Sequence, residues 1–319
     1  MRLLVTGGAG FIGSHFVRRQ VKSGLWQSVT VLDALTYAGI RANLAECEAN
    51  PQFSFVHGNI TDHDLVNTIM AKVDVVVHFA AESHVDRSLL NPQLFVETNV
   101  LGTHTLVHAA HKYGVKQFIH ISTDEVYGSV VNGDSIESDN LDPRSPYSAS
   151  KAASDLLVLS YYSTYDLDVR VTRCTNNYGS NQFPETIIPL FITNLLRGKQ
   201  LPLYGDGKNV RQWINVEDHC RGIELVIERG RAGEIYNLGS GNEYRNIDLT
   251  KLILTAMDRD KSAIEFVADR AGHDLRYSLD YSKAISELGY QPQVDFEAGL
   301  ASTIEWYRAN PQWWSPLIK

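Results

Sequence analysis

Between Ile121 and Lys151 the chain gathers residue types that move protons: Thr123-Asp124-Glu125 and, after a loop, Tyr147-Ser148-Ala149-Ser150-Lys151. Phe118, Ile119 and Ile121 are apolar and strand-forming, so the acidic pair stands at the end of a buried strand. Ser145 is a good N-cap and Pro146 suits the first helical position, which puts Tyr147 in the first turn of a helix. Lys151 follows one turn later on the same face. A phenol beside an ammonium loses its proton more readily, because the positive charge favours the phenolate. A tyrosine that otherwise titrates at about 10 can then serve as a base near neutrality. Thr123 can hold the same substrate hydroxyl by a hydrogen bond. The Asp124-Glu125 pair is more than a simple alcohol oxidation needs; its bland alternative is a solvated loop end. Successive strand residues point to opposite faces, so both carboxylates reach one substrate only if the strand breaks there.

The elements that must position these groups alternate along the chain. A short strand, Leu3-Leu4-Val5, runs into Thr6-Gly7-Gly8-Ala9-Gly10-Phe11-Ile12-Gly13 and a helix to about Ser23. Gly8, Gly10 and Gly13 fit a G-x-G-x-x-G spacing, and Gly7, Gly10 and Gly13 fit a G-x-x-G-x-x-G variant. Either gives a tight turn, a close approach of backbone to pyrophosphate, and a helix N-terminus aimed at the anion. A second strand, Val29-Thr30-Val31-Leu32, ends in Asp33, twenty residues after Gly13. An acidic residue there accepts from the adenosine ribose and repels a 2′-phosphate, which selects NAD over NADP.

Further strands are expected at 53–56, 73–79, 118–121 and 169–172, with helices over 98–113 and 147–165 between them. This alternation predicts an α/β fold, a Rossmann-type doubly wound parallel sheet with ligands beyond the carboxyl ends of its strands. Ala80 and Ala81 sit at one such end; they either let backbone approach a cofactor or serve close helix–sheet packing. After Arg173 the pattern loses regularity. Residues 1–174 are expected to form the NAD-binding domain and 175–319 a smaller substrate-binding domain. The boundary is soft, because parts of the second half are expected to return to the first sheet.

Composition narrows the classes. The 319 residues are 44% apolar and 21% charged, ordinary for a soluble globular protein. A net charge of −8 argues against a nucleic-acid partner. The three cysteines are widely spaced and in no CxxC pattern, which suggests a reduced, cytoplasmic protein. No segment reads as a signal peptide or membrane span. No His, Cys and carboxylate cluster has metal spacing, so no metal is expected; His78 and His120, within apolar strands, read as core residues. Trp313-Trp314 reads as packing. Arg211 and Arg270 are either surface salt-bridge partners or the fixed cations that a nucleotide diphosphate needs in an acidic chain.

With these motifs in place, the chain resembles the extended short-chain dehydrogenase/reductase family over nearly its whole length, and within it the dTDP-glucose 4,6-dehydratases. The string Thr123-Asp124-Glu125-Val126-Tyr127-Gly128 is the specific feature: relatives acting on GDP-mannose usually have serine where this chain has Asp124, and UDP-galactose epimerases lack the acidic pair. The resemblance implies cofactor contacts at Gly7, Gly10, Phe11, Ile12 and Gly13, at Asp33 and Thr36, at Asn59 and Ile60, and at Ala80, Ala81, Ser83 and Thr98. Ser122, Tyr147, Lys151 and Asn177 complete that set. It implies sugar-nucleotide contacts at Ser83, Thr123, Asn176, Pro202, Tyr204, Arg211, Asn246, Arg270 and His273. Two positions depart from the family pattern. Asn59 stands where aspartate is usual, and Thr186 stands where the family's Pro-Glu-Lys motif has its lysine.

The implied reaction is internally redox-neutral on dTDP-glucose. Tyr147, supported by Lys151, takes the C4 hydroxyl proton during oxidation by NAD. Glu125 removes the C5 proton made acidic by the new ketone, and protonated Asp124 assists loss of the C6 hydroxyl. A homodimer through the helices over 98–113 and 147–165 is likewise implied. Two rivals remain at this stage: another nucleotide-sugar epimerase or dehydratase of the same fold, and an NAD-binding regulator without turnover.

Overall fold

The computed structural model describes residues 1–318. Its first half runs β1 (Arg2–Thr6), α1 (Phe11–Ser23), β2 (Ser28–Asp33), β3 (Phe53–His57), α2 (His63–Met70), β4 (Val75–His78), α3 (Val85–Leu90) and α4 (Pro92–Phe95). A π-turned segment, Val96–Gly102, leads into α5 (Thr103–Lys112), β5 (Gln117–Thr123), a 3-10 turn at Asp124–Tyr127, α6 (Pro146–Tyr165) and β6 (Val169–Cys174). The rest comprises β7 (Asn176–Tyr178), α7 (Ile187–Leu196), β8 (Leu201–Tyr204), β9 (Val210–Asn215), α8 (Val216–Arg229), β10 (Ile235–Leu238) and β11 (Asn242–Arg245). It closes with α9 (Asn246–Ala256), β12 (Ile264–Val267), β13 (Arg276–Tyr277), α10 (Phe296–Ala309) and α11 (Pro311–Trp314).

Seven parallel strands in the order β10-β6-β5-β4-β1-β2-β3 form the main sheet. Its strands are continuous apolar runs because helices cover both faces: Leu3, Val5, Val75 and Ile119 pack to one side with α1 and α8, and Leu4, Val76, Phe118 and Val169 to the other with α2, α5 and α6. The strand order reverses between β1 and β4, which opens a crevice at their carboxyl ends. Residues from the second half contribute β10 to this sheet and also build their own: β11, β9 and β13, with β7 alongside β9. A third apolar cluster, with Phe191, Trp213, Leu249 and Tyr307, fills that region. Trp313 and Trp314 belong to it, Trp314 buried and Trp313 edge-on to Trp306.

Two elements carry the site. Helix α6 starts as its sequence suggests: Ser145 and Ser148 form a reciprocal capping box and Pro146 takes the first turn. Strand β5 stops at Thr123, whose hydroxyl accepts from the Glu125 amide and starts the 3-10 turn, so the acidic pair leaves the alternation of the strand. The expected helix over 98–113 differs. Its first turn is widened, because Asn99 is held on both sides: it accepts from the Glu82 amide at 2.8 Å and donates to the Glu82 carbonyl at 3.0 Å and to Ser150 Oγ at 2.9 Å. These bonds pin the loop after β4 to α6, and the ladder yields.

Behind the site α6 is fixed to the sheet by a buried ion pair, Arg173 Nε to Asp155 Oδ2 at 2.9 Å. His120 Nε2 lies 3.4 Å from the second Asp155 oxygen, and the guanidinium stacks over Tyr127 at 4.7 Å. Burial pushes the Asp155 carboxyl up, but His120 and Arg173 outweigh it and hold it below its ordinary value. His78 is a satisfied core residue between Thr6 and Thr103. Truncating Asp155 to alanine strands a buried guanidinium. The expected loss is about 3–5 kcal/mol of unfolding free energy, read as a fall in the urea midpoint. An unchanged midpoint would mean that the pair does not hold α6 to the sheet.

Candidate active site

One cleft of about 520 Å³ runs along the carboxyl ends of the main-sheet strands, and every catalytic, cofactor and sugar-nucleotide candidate that the resemblance implies lines it. At one end lies the glycine loop. Gly7 has φ +70°, and a Cβ there would meet the Ala80 backbone nitrogen at 2.5 Å. A Cβ on Gly13 would collide with the Gly7 carbonyl. Gly8 instead packs on Val31, away from the cleft, so the lining set is Gly7, Gly10 and Gly13. Ala80 thus serves both readings, as the neighbour that needs Gly7 bare and as cleft wall. Helix α1 starts at this loop with Gly10 as N-cap and no side-chain cap, leaving its first amides for an anion. Asp33 closes this end, its carboxylate fixed by the Ala9 and Leu35 amides at 2.9 and 2.8 Å. This cradle, which side chains at Gly7 or Gly13 would fill, fits a dinucleotide. Phe11, Ile12, Thr36, Ile60, Ala81, Ser83 and Thr98 continue its walls. Asn59 is exposed and its side-chain oxygen accepts from the Thr61 amide, so the departure from aspartate is absorbed in a local turn.

Mid-cleft stand Ser122, Thr123, Asp124, Glu125, Tyr147, Lys151 and Asn177. Asp124 is buried; Thr123 donates to its Oδ1 at 3.2 Å, while its Oδ2 is enclosed without a partner. Burial first, and the neighbouring Glu125 second, push the Asp124 carboxyl up to about 8. Glu125 is raised as well by removal from water, but Arg270 and Arg211 draw it back. Within the pair the proton is therefore favoured on Asp124 and the charge on Glu125, the one that Arg270 foremost draws toward ionisation.

The sequence expectation that Lys151 lowers the Tyr147 phenol is corrected here. Burial, then Glu125, raises Tyr147 well above its ordinary value, with the Thr123 hydroxyl opposing. Lys151 is itself pushed down to about 8 by burial, and its Nζ donates to the Ile121 carbonyl at 2.7 Å. Desolvation of the phenolate outweighs the ammonium four residues away.

The far end is built by the second half of the chain. Arg211 is buried, its guanidinium held by the Val210 and Asp274 carbonyls at 2.7 and 3.0 Å and stacked over Tyr277 at 4.3 Å. It is not a surface salt-bridge partner. Arg270 Nη1 lies 3.5 Å from Asp86 Oδ1, and its Nε is enclosed without an acceptor. Tyr204 donates to Asp86 Oδ2 at 3.2 Å, and the His273 ring meets Asp269 at 2.6 Å. Asn176, Pro202 and Asn246 complete the wall. Thr186, where lysine is usual, accepts from Gln182 at 3.0 Å at the start of α7.

Several contributors had no signal in the sequence. Asn99, Asp155 and Asp274 act through partners far along the chain, Tyr37 and Arg87 belong to no motif, and the Pro-Glu-Lys-like stretch that contains Glu185 gave no hint of its pairing with Arg87. Among the described residues no group of three or more His, Cys, Asp or Glu is arranged around a metal.

A family model described as GDP-mannose 4,6 dehydratase matches residues 4–303. A dTDP-glucose 4,6-dehydratase from Streptomyces antibioticus is 56% identical over 324 residues, spanning 100% of this chain and 96% of that protein. The crystal structure of DesIV, a dTDP-glucose 4,6-dehydratase from Streptomyces venezuelae with NAD and dTDP bound, is 58% identical with a TM-score of 0.98, covering 99% of this chain and 100% of that one. A dTDP-glucose 4,6-dehydratase from Bacillus anthracis in complex with NAD is 45% identical with a TM-score of 0.93, covering 99% of both chains. The chain belongs to the GDP-mannose 4,6 dehydratase family within the extended short-chain dehydrogenases/reductases, and in that family it stands among the dTDP-glucose 4,6-dehydratases.

Proposed function

We propose that this protein converts dTDP-glucose to dTDP-4-keto-6-deoxyglucose, with NAD held in the glycine-loop half of the cleft. The relatives named above support the substrate and cofactor. The observation that carries the chemistry is the pair Asp124 and Glu125, one protonated and one charged, beside Tyr147 in the same cleft. When bound, NAD supplies the acceptor and later the donor of hydride, and its ring charge favours the Tyr147 phenolate that burial alone opposes.

The chain's own residues do the rest. Tyr147 takes the proton of the C4 hydroxyl, with Thr123 holding that oxygen. A ketone at C4 makes the C5 hydrogen acidic, and Glu125 removes it. Asp124 gives its proton to the departing C6 oxygen, so water leaves across C5–C6. The enclosed, unpartnered Asp124 Oδ2 is where such an oxygen finds a hydrogen bond. Glu125 returns the proton to C5. At the far end Arg211 and the free Nε of Arg270 take the diphosphate. An epimerase has no use for the acidic pair, and a non-catalytic regulator has no use for a carboxyl kept neutral beside a base.

The working unit in this reading is a homodimer formed by α5 and α6. Leu101, in the turn before α5, and Leu156, Tyr162 and Tyr165 on α6 are exposed large apolar side chains on these elements. A cytoplasmic setting agrees with three free, buried cysteines; no helix among the described residues is long and apolar enough to cross a membrane.

In D₂O the product should carry deuterium at C5, with hydrogen moved from C4 to C6 within one sugar. A C4 epimer without water loss would overturn the dehydratase reading. Glu125→Gln should lower kcat by about 10²–10⁴-fold and let reduced nicotinamide accumulate, because C4 oxidation survives and C5 proton removal does not. The acid form of Asp124 is present below its pKa and lost above it. The elimination step should therefore decline as pH rises through about 8, measured as single-turnover rates across pH. Leu156→Glu should shift the protein to monomer in sedimentation velocity.

A further inference from the structure

Three side chains from distant parts of the chain meet at the edge of the cleft, with Tyr37 and Glu185 in its wall and Arg87 between them. Tyr37, in the loop after β2, lines the cleft near Asp33. The Arg87 guanidinium, on α3, lies 3.6 Å from the centre of the Tyr37 ring. Arg87 Nε donates to Glu185 Oε2 at 3.0 Å, and Glu185 precedes α7 in the other half of the chain. Phe183 packs edge-on against Tyr37 with centroids 5.6 Å apart, and His84 Nε2 lies 3.4 Å from the Glu185 carbonyl. Arg87 thus clamps an aromatic ring from the sheet half to a carboxylate from the substrate half. Its neighbour Asp86 faces the opposite end of the cleft, where it meets Tyr204 and Arg270. None of Tyr37, Arg87 and Glu185 has a part in the proton transfers above.

We propose that Tyr37, Arg87 and Glu185 are positioning residues that latch the dinucleotide in the protein between turnovers; the proposal rests on the NAD-binding reading. In that reading the cofactor ends each cycle in its starting state, so its release serves nothing and the sugar nucleotide must exchange past it. A roof closed by a cation over an aromatic face and a charge-assisted hydrogen bond slows one departure without blocking the other end. Both contacts break before the loop after β2 can lift, which makes the latch a matter of dissociation rate.

The test uses full-length protein loaded with NAD, desalted repeatedly, with the NAD that remains assayed after acid release. Wild type and Tyr37→Phe, which keeps the ring, should retain it. Arg87→Ala and Tyr37→Ala should lose it about tenfold faster. Glu185→Gln, which keeps the shape and removes the charge, should also lose it faster than wild type. Activity lost on dilution of these variants should return on adding NAD, which a misfolded protein would not show. Equal loss rates in wild type, Arg87→Ala and Glu185→Gln would overturn the latch. A wild type that takes up no NAD at all would instead overturn the cofactor reading, so the two failures are distinguishable.

Discussion

Two carboxyl groups on adjacent residues, withdrawn from water in one cleft, resist both being ionised, and the active site is arranged around that constraint. The proton stays on Asp124, the more buried of the two and the one with an enclosed, unpartnered oxygen. The charge stays on Glu125, where Arg270 and Arg211 favour it. One strand end thereby presents an acid and a base a residue apart. Water loss across adjacent carbons needs that combination.

The scaffold serves this pair. Strand β5 must be central to be dry, and it must stop at Thr123 to turn both carboxyls toward the cleft; the Thr123 hydroxyl does both, capping the turn and touching Asp124. Helix α6 brings Tyr147 and Lys151 against the strand end because Asp155, one turn further, is bonded to Arg173 on β6. Arg211 can act as a buried cation because backbone carbonyls and the Tyr277 ring replace its water. The cost of these buried charges is met by packing elsewhere, which is the usual condition of a catalytic site.

Much of this was legible in the sequence, and the reasons are local ones. Continuous apolar runs, Ser145-Pro146 and the glycine spacing are signals read within a few residues, so the sheet, the start of α6 and the cradle followed. The choice between Gly7 and Gly8 did not follow, because only the approach of Ala80 to Gly7 decides it. The widened turn at Val96–Gly102 depends on Asn99 reaching Glu82 and Ser150. The Tyr147 phenol was misjudged for a related reason: spacing places Lys151 nearby, but only the packed structure reveals how dry the site is and that the ammonium is spent on the Ile121 carbonyl. Tyr37 and Arg87 carry no local pattern, Glu185 sits in a motif that says nothing of its partner, and the three come together through the fold alone.

The central claim is that Asp124 is a neutral acid while Glu125 beside it is charged. Infrared difference spectroscopy reads this directly, as the protonated-carboxyl band that disappears in Asp124→Asn. The account predicts that this band is present at neutral pH and titrates with a midpoint of about 8. A band that has vanished by about pH 5, as for an ordinary aspartate, would contradict it.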